Sequence, residues 1–340
     1  MGDGPKLKTV NFPTLAKEHL GKMDQDLTDF KYVAKINGVS YAVGDFAYVG
    51  RADRSLDREQ QLDLHKIQVF LGTALNLLSV SEDEVEHVNI SAGLPINFYK
   101  EQKNNLAEIL KDLRIDTELN GKFKSFIIDE VAIYQQGVGA FISLFFNADG
   151  TPKDEKSADM NFYQFGGGII DVGYNTCDYA RIMLNNGKHS LADALSGSLE
   201  GYGATYAHEK VVELIHRDFD ILKTSGECEN ALNHQDGILL IRGQHVDIRG
   251  YFDLGYKMLA TEINKKMNKE VWRDRDTSEF ASIYLTGGCA SKIIEHIKID
   301  GVEIKLQDDG IYANCKGYIA RTKIDMNKKA VKEKKELTAK

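Results

Sequence analysis

Ile169-Ile170-Asp171-Val172-Gly173-Tyr174-Asn175-Thr176-Cys177-Asp178 is the stretch on which the reading of this chain turns. An apolar strand delivers Asp171 to its C-terminal end, Gly173 permits a tight turn, and Thr176 and Asp178 open a returning strand. Turn amides and a hydroxyl at Gly173, Asn175 and Thr176 suit phosphate oxygens, and the Asp171 carboxylate suits a Mg²⁺ ion held through water. The same residues also spell a plain β-hairpin with a polar turn. On this stretch alone the two readings stand side by side.

Two more glycine segments lie downstream. Ile283-Tyr284-Leu285-Thr286-Gly287-Gly288-Cys289-Ala290-Ser291 follows a strand pattern and precedes a helix pattern, so the backbone can approach a ligand at a helix N-terminus. Ser198-Leu199-Glu200-Gly201-Tyr202-Gly203-Ala204 again sets glycines before a helix. Taken singly, each is a common helix entry.

The elements around them alternate between strand and helix. Phe30 to Ile36 and Val39 to Val43 read as a hairpin joined by Asn37-Gly38. Leu62 to Leu78 carries apolar residues at helical spacing, Val85 to Ala92 reads as a strand, and Phe98 to Leu113 as an amphipathic helix. Lys122 to Ile128 reads as a strand and Glu130 to Phe146 as a helix. After the polar loop Asn147 to Ala158, strands are expected at Phe165 to Val172, Tyr179 to Leu184 and Ser282 to Thr286. Helices are expected at Ala204 to Asp218, Tyr251 to Met267 and Tyr312 to Arg321. This order predicts two α/β halves with mixed sheets. The expected division is residues 1–150, 151–310, a connecting helix 311–327 and a frayed basic tail 328–340.

Composition narrows the chemistry only a little. Apolar residues make up 42% and charged residues 28% of 340, enough for a real core. With 43 Lys and Arg against 51 Asp and Glu, the net charge is −8, which argues against direct nucleic-acid binding. The four cysteines are far apart with no C-x-x-C pair, and the nine histidines show no metal-ligand spacing. No apolar run is long enough for a membrane span and the first residues are polar, so the expectation is a cytoplasmic protein.

The order and spacing of the motifs carry a resemblance. Asp171 to Asp178, then Gly201 and Gly203, then Gly287 and Gly288, resemble the second domain of the actin-like ATPase superfamily, with its second phosphate loop and adenosine motif. Tyr134-Gln135-Gln136-Gly137-Val138-Gly139-Ala140 is similar to the first connecting helix of ParM-like and archaeal actin-like proteins. Tyr312-Ala313-Asn314-Cys315-Lys316-Gly317-Tyr318 is similar to the second, N-x-x-G-Y. Asn37 to Ala47 resembles the hairpin of plasmid-partition actins, and Phe12-Pro13-Thr14 their F-P-S turn. The resemblance spans about residues 10 to 322.

The resemblance implies an actin-like fold: two ribonuclease-H-type domains, mixed sheets flanked by helices, around a nucleotide cleft. It implies Mg²⁺ and ATP as cofactors, with GTP as an option, and hydrolysis coupled to filament dynamics. Asp171 would hold Mg²⁺ through water, and Gln136 would orient the attacking water. Gly173, Asn175, Thr176 and Asp178, with Gly201 and Gly203, would serve the phosphates, and Gly287 and Gly288 the adenosine. Implied partners are further copies of the chain in a filament and a DNA-bound adaptor. A non-hydrolysing scaffold of the divisome or pilus type, or a sugar kinase of the same superfamily, are the alternatives.

One departure stands out. The family's first strand and its D-x-G phosphate loop have no counterpart at Met1 to Lys6, where Gly2 and Gly4 alone resemble a remnant. This predicts an unfilled central position in the first sheet and an upstream start. Three further expectations concern packing. Gly137, Gly139 and Ala140 should be small because the chain crosses itself closely there. Cys177 and Cys289 should be buried fillers, and Trp272 a partly buried surface anchor.

Overall fold

The structure is a computed structural model that describes residues 7–12, 14–18, 32–44, 63–154, 158–272 and 277–338. It forms two compact units, Met1–Ile90 with Asn104–Val131, and Ser91–Lys103 with Ala132–Lys340. The 147–158 loop lies inside the second of these.

The first unit is built on a six-stranded sheet ordered β1-β3-β2-β5-β6-β4. Its strands are β1 (Ala16–Glu18), β2 (Tyr32–Ile36), β3 (Val39–Val43), β4 (Val85–Leu94), β5 (Arg114–Leu119) and β6 (Lys122–Gln135). Asn37-Gly38 joins β2 to β3 with both residues at positive φ, 48° and 90°, the conformation that a two-residue hairpin matched to strand twist requires. Asn120-Gly121 repeats the device between β5 and β6, at 52° and 76°. Helix α1 (Leu64–Leu78) starts at Asp63, whose carboxylate accepts from the His65 amide, and buries Val69, Gly72 and Thr73. A side chain at Gly72 would meet Ile115 Cγ2 at 2.9 Å, so the glycine lets α1 lie close on β5.

The expected unfilled central position concerns Met1 to Lys6, which lie outside the described residues. Strand β5, which the sequence reading passed over, pairs antiparallel with β2 from Ala34↔Leu119 to Ile36↔Thr117, so β2 is paired on both sides. Gly2, Gly4 and the Asp45 to Ala47 part of the hairpin motif lie outside the described residues.

The second unit carries a sheet ordered β10-β8-β7-β13-β14, with β9 added beside β8. Its strands are β7 (Gly167–Val172), β8 (Thr176–Asn185), β9 (Lys188–Leu191), β10 (Gly197–Glu200), β13 (Ile283–Thr286) and β14 (Ile304–Leu306); β11 (Ile238–Ile241) and β12 (Gln244–Asp247) form a separate hairpin. Every residue of β7 is buried, as expected of a strand covered on both faces. Ile170 and Val172 join the core formed with the helices Ala204–Phe219 and Arg249–Lys266. Ile169 points the other way, into the core shared with α3 (Val138–Phe145) and the long C-terminal helix Gly310–Thr338.

Four expectations are corrected here. Glu130 to Phe146 is not one helix: β6 runs on through Gln135 because its run of Val, Ile and Tyr pairs in the sheet, and α3 starts only after Gly137, at φ 78°. The helix read at Phe98 to Leu113 is α2, Ile96–Leu110, and Arg114 already belongs to β5. The basic tail is not frayed from Lys328, because its Lys, Ala and Glu residues are strong helix formers and the helix continues to Thr338. Trp272 is 1% exposed rather than a surface anchor, and its indole N–H donates to the Leu195 carbonyl at 2.9 Å.

The small residues of α3 sit at a helix crossing. A Cβ on Gly317 would lie 1.8 Å from the Gly139 carbonyl oxygen, and one on Gly139 would lie 2.4 Å from the Tyr318 ring. Backbone therefore meets backbone where α3 and the C-terminal helix cross.

Candidate functional site

Pairing places two acids side by side. Asp171 in β7 lies opposite Asp178 in β8, and its partner on the other side is Thr286 in β13. Directly opposed residues share a face, so both carboxylates lie on the α3 side with Ile169. Both are buried, at 7% and 2% exposure.

Each acid is held by a different set of groups. Asn314 of the C-terminal helix donates its amide N–H to Asp171 Oδ2 at 2.5 Å. Asp178 accepts from the Ser198 hydroxyl, from Thr176 Oγ1 at 3.0 Å and from the Ile96 amide at 3.4 Å. Burial, then the charge of Asp178, pushes the Asp171 carboxyl up to about 7, with the Asn314 hydrogen bond opposing. Burial also raises Asp178, against its three hydrogen-bond donors.

The three glycine segments close around this pair. Gly173 N donates to the Thr176 carbonyl at 2.9 Å and shapes the β7–β8 turn. That turn is tied to the start of the Ala204–Phe219 helix: Ala204 N donates to Gly173 O at 3.1 Å, Thr205 N to Tyr174 O at 2.9 Å, and Gly201 N to Asn175 O at 3.0 Å. Gly203 is needed there, because a Cβ would lie 2.2 Å from the Tyr174 carbonyl oxygen. The third segment reaches β7 through Cys289 N and the Val172 carbonyl, 3.1 Å apart. Gly287, at φ 93°, would place a Cβ 2.4 Å from Asp171 Oδ1. Tyr174, Asn175, Gly201 and Gly288 are exposed, and Gly173, Thr176 and Gly287 half-buried, so polar backbone is accessible around a buried acid pair.

Gln136 sits in the turn between β6 and α3, not on the helix, and its amide donates to Leu94 O at 2.9 Å. The next residue, Gly137, donates its N–H to Asn314 Oδ1 at 3.0 Å. Gln136 is thus one residue from a group that also holds Asp171. Cys177 and Cys289 are buried fillers with thiols raised by burial. A cavity of about 570 Å³ lies elsewhere in the unit, lined by Phe141, Phe145, Ile182, Lys188, Arg321 and Lys328, and holds none of the acids.

The sequence reading therefore located the two acids and all three glycine segments, but it missed Asn314 and Ser198 as site groups. Both stood inside quoted motifs; nothing local marks either as a partner of an acid more than a dozen residues away.

Among the described residues no cluster of three His, Cys, Asp or Glu side chains is arranged for a metal. A closed metal cage is not what the site offers. Two buried carboxylates, one raised to about 7, fit a hard cation that keeps most of its waters and brings the missing positive charge.

Residues 1–139 match the family model described as actin like proteins N terminal domain, and residues 169–299 that of the archaeal actin homologue MreB-like, C-terminal. The N-terminal and C-terminal parts of the chain thus each match a family model of actin-like proteins, and the fold is the actin-like fold. Its structural neighbours are ParM proteins and an archaeal actin homologue. A pCBH ParM non-polymerisable quadruple mutant superposes at TM-score 0.73 with 21% identity, over 93% of each chain. A 15-stranded ParM filament from Clostridium botulinum gives 0.71 and 21%, over 92% of each chain. The archaeal actin homologue Ta0583 in complex with ADP gives 0.67 and 19%, over 92% of this chain and 91% of that one. No curated protein matches the sequence.

Proposed function

We propose that the chain binds Mg-ATP at the Asp171 site, polymerises into filaments and hydrolyses the nucleotide to control their lifetime. The observation that carries this is the buried Asp171–Asp178 pair beneath accessible turn amides, a setting for a metal and phosphates rather than for a substrate with its own reactive group. Two of the structural neighbours, a ParM filament and an archaeal actin homologue in complex with ADP, support the same reading.

In this reading Asp171 orients the waters of Mg²⁺, which when bound would neutralise phosphate charge. Gly173, Asn175 and Thr176 grip phosphate oxygens, Gly201 and Gly203 shape the same loop, and Gly287 and Gly288 pass close to the adenosine. Gln136 aligns the attacking water, and the protein works mainly by positioning, as phosphoryl transfer demands. A DNA-bound adaptor and a role in plasmid or DNA segregation complete the proposal. Sedimentation with ATP, with GTP and without nucleotide tests it: pelleting should require a nucleotide. A chain that stays monomeric with each of them contradicts the filament reading.

A further inference from the structure

Asn314 makes three hydrogen bonds to two other elements. Its Oδ1 accepts from the amides of Gly137 and Ala140, both at 3.0 Å, and its Nδ2 donates to Asp171 Oδ2 at 2.5 Å. A carboxamide has one accepting and one donating end, so a single side chain can serve a helix start and a carboxylate together. The start of α3 needs such help. Its first amides lack intrahelical acceptors, and its N-cap, Gly137, has no side chain to supply one. Asp171 needs it too: among the described residues Asn314 is the side chain that hydrogen-bonds this acid, whereas Asp178 is held independently by Ser198 and Thr176.

We propose that Asn314 is a positioning residue of the nucleotide site, which sets the Asp171 carboxylate and the turn carrying Gln136 relative to each other. The proposal rests on the nucleotide reading above. The Gly139–Gly317 contact lies one turn further along the C-terminal helix and holds Asn314 at this distance from α3. The metal-holding group and the water-orienting group are then not placed separately: one carboxamide fixes both.

The test uses Asn314→Asp and Asn314→Ser in the full chain. Each keeps an oxygen for the Gly137 and Ala140 amides, and neither brings an amide N–H₂ to Asp171. Calorimetric ATP affinity is measured with Mg²⁺ and with EDTA, alongside the melting temperature. Affinity with Mg²⁺ should fall roughly 10- to 100-fold, the usual effect of losing a group that orients a metal-holding residue. Affinity in EDTA should stay at the parental value, whereas the melting temperature should fall, because the hydrogen bond to the buried Asp171 is lost. Equal losses with and without Mg²⁺, or no loss at all, overturn the positioning role while leaving parental nucleotide binding intact. A parent that binds no nucleotide in either buffer refutes the functional reading and this role with it. If both variants fail to fold, hydrogen exchange on the parent decides. Mg-ATP should slow exchange at the Gly137 and Ala140 amides, because coupling through Asn314 is reciprocal; unchanged exchange there overturns the proposal.

Discussion

Gly317→Ala drives a methyl group into the crossing of α3 and the C-terminal helix. The new Cβ would lie 1.8 Å from the Gly139 carbonyl oxygen and 2.5 Å from its carbon, where ordinary contact begins at 3.4 Å. Both obstacles are backbone, so no rotamer change relieves the clash and the helices must part. Asn314, one turn away, would then be drawn off its bonds of 2.5 to 3.0 Å to Asp171 and to the start of α3. Overpacking of this kind costs about 1–3 kcal/mol, and losing a hydrogen bond to a buried acid costs a similar amount. Alanine's better helix propensity returns about 1 kcal/mol. The net loss is on the order of 1–5 kcal/mol, or roughly 2–20 °C in melting temperature for a unit of this size. Thermal unfolding followed by circular dichroism, without nucleotide, measures it. A melting temperature equal to or above the parent's, which propensity alone predicts, would refute the close crossing.

Three further outcomes are expected. Gln136→Ala should bind nucleotide and polymerise as the parent does but release phosphate about 10²-fold more slowly; parental turnover would remove Gln136 from the chemistry. Gly287→Ala meets both a φ of 93° and Asp171 Oδ1 at 2.4 Å, so melting temperature and Mg-ATP affinity should fall together; intact affinity would place this segment away from the ligand. The last concerns pH in the metal-free protein. Because the folded Asp171 carboxyl titrates near 7 rather than at its ordinary 3.8, it favours folding at acid pH, and this contribution is lost as pH rises through about 7. Asp171→Asn keeps a neutral side chain, so its advantage in melting temperature over the parent should widen between about pH 4 and pH 7; a gap independent of pH contradicts the burial of an uncompensated charge.

Local chemistry made the second unit's site legible. Gly173 and the two flanking apolar runs dictate the hairpin, and a hairpin with this turn must set Asp178 opposite Asp171. The Asn37-Gly38 turn was read for the same reason. The identical signal at Asn120-Gly121 went unread because Arg114 to Leu119 alternates charged and uncharged residues over only six positions, a short run that only its pairing with β2 and β6 marks as a strand. Residues 130–135 have both helical spacing and β-branched, aromatic composition, and pairing in the sheet decides between them, which no local window shows. Asn314 was invisible for a related reason: its role depends on a helix crossing that brings it to an acid 143 positions earlier.

The central claim is that Asp171 and the glycine segments around it hold a metal-bound nucleotide. A crystal structure with a non-hydrolysable ATP analogue and Mg²⁺ tests it most directly. The account predicts phosphates on the Gly173 to Thr176 turn, a metal whose waters touch Asp171, and adenosine beside Gly287 and Gly288. A nucleotide bound elsewhere in the chain, or phosphates seated away from Asp171, would contradict it.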